Sequence, residues 1–213
     1  MRPDSGLPRC LRLPIPEIAE GASVLSEAVK EHLLGRVEVA ASLIASTNTP
    51  ILRAWVESLW GKSSPYVIVK DIPDAPTTLE RAPRVPVRMP NAAQRAELIR
   101  EQGRHCRFCG VPVIRVEVRR RLHKLFPEAL PWGRTNDGQH AAFQALWMQF
   151  DHVIPHARGG GNDLGNVIIT CAPCNFARMN YTLEEVGLED PRLRPPVHSD
   201  WDGLENILSA KAV

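Results

Sequence analysis

The chain has 213 residues, enough for one catalytic domain and a smaller element but not for several enzymes. Its 44% hydrophobic content is that of an ordinary globular protein, whereas 19 prolines against 6% aromatics predict long connections. A net charge of +2 excludes a uniformly basic nucleic-acid binder, so any such role must rest on how the charge is distributed.

The opening residues, MRPDSGLPRCLRLPIPEI, place prolines where a signal peptide needs an unbroken apolar core. No window approaches the roughly 18 apolar residues of a membrane span, so the expectation is a soluble, cytoplasmic protein with no membrane partner. Apolar residues at Val24, Leu25, Ala28, Val29, Leu33 and Leu34 predict a helix over 23–34 that stops at Gly35. Val37 to Ala45 also suits a helix, and Thr49-Pro50 opens another that carries Ile51, Trp55, Leu59 and Trp60 to Gly61. Trp55 and Trp60 share that helix with Leu52, which favours a core role over base stacking. Tyr66 to Val69 reads as a short strand. Prolines 73, 76, 83, 86 and 90 then break helix and ladder alike, making 71–90 an extended linker behind a mainly helical element, residues 1–70. Residues 1–90 leave a protein partner, a homodimer or a DNA contact open.

Asn91 caps a helix that runs through Gln102 and ends at Gly103, delivering the chain into a turn with two thiols, Cys106 and Cys109. From Asn91 to Lys124, nine basic residues (Arg95, Arg100, Arg104, Arg107, Arg115, Arg119, Arg120, Arg121, Lys124) face three acids (Glu97, Glu101, Glu117), a local charge of +6. Arg119, Arg120 and Arg121 are the candidate phosphate contacts, against the ordinary reading of a solvated helix face. Residues 111–149 read as an insertion, with a helix from His140 to Met148. Phe150–Ile154 and Val167–Thr170 read as an antiparallel pair joined through Gly159-Gly160-Gly161, and a short helix begins at Asn175. Asn162 and Asp163 look like turn formers, and 186–213 forms a tail.

Cys106-x-x-Cys109 and Cys171-x-x-Cys174 offer four soft thiolates in two turns, the preference of a closed structural zinc site. The 61 residues that separate the pairs (110 to 170) far exceed the roughly 15–20 of a compact ribbon, and an insertion folding as its own lobe would account for them. A redox dithiol is the competing reading of either pair alone. Four thiolates leave no open coordination position, so a catalytic ion must sit elsewhere. Cys10 is left over and reads as inert.

Residues 150–180, from Phe150-Asp151-His152-Val153-Ile154-Pro155 through the glycine run and Asn166 to Cys171-Ala172-Pro173-Cys174-Asn175, resemble the HNH nuclease motif. The resemblance covers about residues 91–181 and implies an α+β, ββα-metal (treble-clef-like) nuclease domain over 91–185, cutting DNA in restriction, phage defence or mobile-element biology. Carried over by position, it implies His152 as general base, Asp151 and Asn175 as ligands of a catalytic Mg²⁺ or Mn²⁺, and Asn166 as the brace of the loop. Asn175 stands where the family's final His is usual, an HNN variant similar to phage junction-resolving nucleases. The residue chemistry agrees: neutral imidazole suits a base near pH 7, and hard carboxylate and amide oxygens suit a hard cation. Arg158 and Arg178 are further candidate phosphate contacts; His156 reads as a structural residue or a third contact. A non-catalytic zinc module binding nucleic acid is the alternative.

Overall fold

The computed structural model describes residues 6–60, 63–81, 84, 86 and 89–209. Helix α1 (Pro16–Leu33) begins at Pro16 rather than at the expected Ser23, because proline fits the first helical turn and Glu17 complements the positive end of the helix dipole. Gly35 turns the chain at φ +80°, and Glu31 holds Arg36 across the turn into α2 (Val37–Ser46). Helix α3 (Pro50–Leu59) starts as its sequence dictates: the Thr49 hydroxyl accepts a hydrogen bond from the Leu52 N–H at 3.3 Å. The proposed stop at Gly61 lies outside the described residues, as does Pro83. Trp55 is buried and donates its indole N–H to the Leu13 carbonyl, while Trp60 meets Phe176 edge-on, so both tryptophans serve packing.

The strand expected at Tyr66–Val69 is absent. Tyr66, Ile68 and Val69 are exposed with no ladder beside them, and β-propensity without a neighbouring strand does not make one. The chain from 71 to 81 carries neither helix nor strand, and it is tied to the nuclease segment: the Leu79 N–H donates to the Ala157 carbonyl at 2.8 Å, and the Lys70 N–H to the Glu185 carbonyl at 2.7 Å.

Helix α4 (Ala92–Gln102) is capped by Asn91 as expected and gains a reciprocal bond from Gln94, each side chain bonding the other's backbone N–H at 2.9 Å, and it ends at Gly103, φ +72°. Its last side chain, Gln102, accepts from the Ile169 N–H and donates to the Val167 carbonyl, covering the edge of the sheet beyond it. Helix α5 (Val116–Leu125) follows, then α6 (Ala141–Ala145), shorter than the expected 140–148. Met148 is drawn out of the helix because its N–H bonds the Ile114 carbonyl at 2.9 Å, while the Ile114 N–H bonds the Leu146 carbonyl. Strand β1 (Met148–His152) therefore starts before the expected Phe150; it pairs antiparallel with β2 (Val167–Cys171), Asp151 opposite Ile168. Helix α7 (Ala172–Arg178) leaves β2 directly, with Pro173 in its first turn, and α8 (Asn206–Ser209) is the last described element.

Residues 111–149 do not form a separate lobe. Val113, Ile114, Val118, Leu122, Leu130 and Phe143 are buried in one core with residues of α1, α3 and the sheet. The helical element is keyed to it by polar contacts, since the Asn48 side chain accepts from the Ala141 N–H at 2.8 Å and His140 Nε2 donates to the Ile44 carbonyl at 3.0 Å. The C-terminal segment is keyed likewise: Glu205 pairs with Arg104 at 3.2 Å and Arg115 at 2.9 Å, and Trp201 donates to the Val113 carbonyl. Among the described residues, no helix is long and apolar enough to cross a membrane.

Candidate active site and metal centre

Two local structures bring the four thiols together. The first is the turn Cys106–Gly110, closed by the Gly110 N–H on the Cys106 carbonyl at 2.9 Å. The second is the junction where β2 ends at Cys171 and α7 opens, with Cys174 in its first turn. The Arg107 N–H donates to the Ile169 carbonyl at 2.8 Å and pins the first turn against β2, so the long sequence separation costs nothing in space. The four Sγ atoms lie within 4.8 Å of one another, with Cys109 and Cys171 at 3.6 Å, and all four are free thiols. A tetrahedral zinc with bonds of about 2.3 Å needs sulfur separations of about 3.8 Å, so the donor set fits that ion. Hydrogen bonds among the four thiols hold Cys106 well below its ordinary value and, with burial, push Cys109, Cys171 and Cys174 above theirs, so one thiol of the cluster yields its proton ahead of the other three. Cys10 is buried and, chiefly by that burial, its thiol is pushed up to about 12, which leaves it without thiolate character at neutral pH.

The second centre lies at the other end of the same hairpin, beside the same first turn of α7. Asp151 and His152 are the last residues of β1, Asn175 sits in the first turn of α7, and the three line one cavity of about 130 Å³ together with His156, Asn180 and Arg84. A larger hollow of about 300 Å³ between α4, α5 and β1 contains no histidine, aspartate or cysteine and offers no such chemistry. Asp151 is buried, and this burial raises its pKa against the opposing pull of Arg178. Arg178 takes Oδ2, so the carboxylate keeps a second oxygen as a cation donor. The half-buried Asn175 amide makes no hydrogen bond among the described residues. A buried carboxylate and an uncommitted amide on one polar cavity fit a hard divalent ion.

The returning loop orients the imidazole. His152 Nε2 lies 2.8 Å from Asn162 Oδ1; an amide oxygen only accepts, so Nε2 carries the proton and the neutral ring has its basic lone pair on Nδ1. Asn162 had looked like a turn former, and the signal for its second role is only its place in the glycine-rich return. Asn166 ties the loop together: its Oδ1 accepts from the Ile154 N–H at 2.8 Å, and its Nδ2 donates to the carbonyls of Ile154 and Gly161. Gly160 is required there, because a Cβ would lie 1.8 Å from the Ile154 carbonyl oxygen. The His156 ring stands 5.8 Å from that of His152 and faces the same cavity.

The expected phosphate contacts need correction. Arg178 is fully buried and spent: Nε and Nη2 donate to Asp151 at 3.1 and 2.7 Å, and further N–H groups bond the carbonyls of His152, Val153 and Tyr181. Arg158 is paired with Glu185 at 3.0 Å and also bonds the carbonyls of Asn180 and Pro76. Arg119 is buried with its guanidinium 3.8 Å over the Trp132 ring, and desolvation pulls its pKa down to about 10. Arg120 is exposed and Arg121 half-buried, so the three consecutive arginines do not present one face. Arg100, Arg104 and Arg115 are engaged by Glu97, Glu101 and Glu205.

A two-stranded antiparallel hairpin followed at once by a helix, with carboxylate, imidazole and amide converging beside a four-cysteine cluster, is an α+β arrangement of the ββα type. Residues 142–180 match the HNH endonuclease family, and the chain carries an HNH domain of α+β, ββα fold. No curated protein and no solved structure matches the chain. An HNH domain implies nuclease activity and a nucleic-acid substrate.

Proposed function

We propose that the protein is a metal-dependent endonuclease that hydrolyses phosphodiester bonds of DNA. The observation that carries this reading is the convergence of Asp151, His152 and Asn175 on one polar cavity, since a zinc module that only bound nucleic acid would have no use for it. His152, held by Asn162, accepts a proton from water at Nδ1 as the oxygen attacks phosphorus. Asp151 and Asn175 hold Mg²⁺ or Mn²⁺, which when bound stabilises charge on the phosphate and the leaving oxygen. The four cysteines hold a structural zinc that fixes β2 and α7 and hence the position of Asn175.

The test is incubation of the purified protein with plasmid, single-stranded DNA, branched DNA and RNA in Mg²⁺ or Mn²⁺. His152→Ala is expected to lose roughly 10²–10⁴-fold in cleavage while keeping its zinc and its DNA affinity. Asn175→Ala is expected to recover in part at raised Mn²⁺, because its defect is one of ion affinity, whereas His152→Ala is not. Binding without cleavage by the wild-type protein would favour the zinc-module alternative. Full cleavage by a folded His152→Ala variant would remove His152 as the base.

A further inference from the structure

The arginines nearest the candidate site differ in what they have left to give. Arg178 and Arg158 are neutralised by Asp151 and Glu185. Arg84, which comes from the proline-rich segment and lies outside the matched residues, lines the cavity and has no carboxylate within ion-pair distance among the described residues.

Arg84 is positioned nonetheless. Its Nε and Nη2 both donate to the Leu79 carbonyl, at 3.0 and 2.6 Å, and its backbone N–H donates to the Arg81 carbonyl at 3.2 Å. Leu79 in turn is fastened to the catalytic loop through the Ala157 carbonyl at 2.8 Å, and Pro76 is held by Arg158. The guanidinium is thus fixed along one edge, while the N–H groups of Nη1 and the second of Nη2 have no acceptor in the described chain. A cation with uncommitted donors, set beside a carboxylate already neutralised by another arginine, attracts an anion. The remaining guanidinium edge matches the two non-bridging oxygens of a phosphodiester.

We infer that Arg84, carried by the segment that precedes the nuclease domain, binds the scissile phosphodiester in the cavity of Asp151, His152 and Asn175. The inference rests on the nuclease reading for its reaction, but not for its anion. It makes the site composite: the matched residues supply ion ligands and base, and Arg84, held through the Leu79 carbonyl, supplies the substrate clamp. It also gives Arg158 a positioning role, since its bond to the Pro76 carbonyl ties the described stretch 76–81, and with it Leu79, to the loop.

The experiment uses the full chain and Arg84→Ala, Arg84→Lys and Arg84→Gln variants. Single-turnover cleavage at saturating DNA is expected to fall by about 10²–10³-fold in Arg84→Ala, the usual loss on removing one donor from a charged transition state. Arg84→Lys should recover part of this and Arg84→Gln none, and millimolar guanidinium added to Arg84→Ala should restore activity in a saturable way. Zinc content and melting temperature should not move. A second arm measures binding of thymidine 3′,5′-bisphosphate by calorimetry in Ca²⁺, where Arg84→Ala should weaken affinity at least tenfold. Wild-type protein that binds this probe through Arg84 yet cuts nothing would overturn the nuclease reading and keep the anion site. Cleavage and probe binding unchanged in Arg84→Ala, or losses matched by a fall in melting temperature without guanidinium rescue, would overturn the role of Arg84.

Discussion

Replacing Arg178 with methionine removes the sole cation paired with the buried Asp151 carboxylate among the described residues, and the structure sets the size of the effect. Side-chain exposures of 1% for Arg178 and 9% for Asp151 make this a buried pair, for which deleting one partner costs about 3–5 kcal/mol, because the other charge stays desolvated. The carbonyls of His152, Val153 and Tyr181 lose donors as well, which places the expected loss toward the upper end of that range. The sign of its pH dependence follows from Asp151, whose pKa burial already raises above the unfolded value. A native state that holds its proton longer than the unfolded state loses stability as pH rises through the interval between the two values. Removing the Arg178 attraction widens that interval upward, so the deficit of Arg178→Met should be smallest in acid and grow toward neutral pH. Urea unfolding across this range measures it. In an Asp151→Asn background the same substitution should cost at least about 1.5 kcal/mol less, the coupling of the pair. A deficit below about 1 kcal/mol at every pH, with no coupling to Asp151→Asn, would refute the claim that Arg178 sustains the Asp151 charge.

Two further outcomes follow from the geometry. Gly160→Ala forces a Cβ against the Ile154 carbonyl and the Asn166 amide, so it should cost about 1–3 kcal/mol and much of the cleavage; Gly161→Ala, whose Cβ would meet only Asp163 at 3.5 Å, should be close to neutral in both, and thermal melts with cleavage rates compare them. Metal analysis should find about one zinc per chain, and stripping it with a strong chelator, or Cys174→Ser, should unfold the nuclease segment as read by circular dichroism.

What was legible in the sequence was local chemistry. Thr49-Pro50 and the pair Asn91 and Gly103 announce α3 and α4 because caps and stops act within a single turn, and the structure has them where they are written. The hairpin and the cysteine pairs are legible for the same reason. The errors come from contacts between distant segments. Nothing near Met148 says that the Ile114 backbone will draw it from α6 into β1, and nothing near Tyr66–Val69 says that no strand lies beside it. The start of α1 is a different case, since Pro16 and Glu17 are a helix opening in plain view, outweighed by the stronger apolar periodicity after Ser23.

The site divides along the same line, and its arginines show why. A sequence gives the sign of a charge but not its partner, and in a folded protein the partner decides the function. Arg178 follows the motif closely and looks free to meet a phosphate, yet it is the counter-ion of Asp151; Arg119 sits in the most basic stretch and is a stacked core residue. Both are taken out of play by burial, Arg178 because a carboxylate and three carbonyls occupy its donors and Arg119 because its guanidinium is stacked on the Trp132 ring away from solvent. Arg84 escapes because, among the described residues, only a backbone carbonyl engages it. A proline-rich stretch that neither helix nor sheet can absorb is suited to this task, since it holds a cation at the mouth of the cavity without burying it.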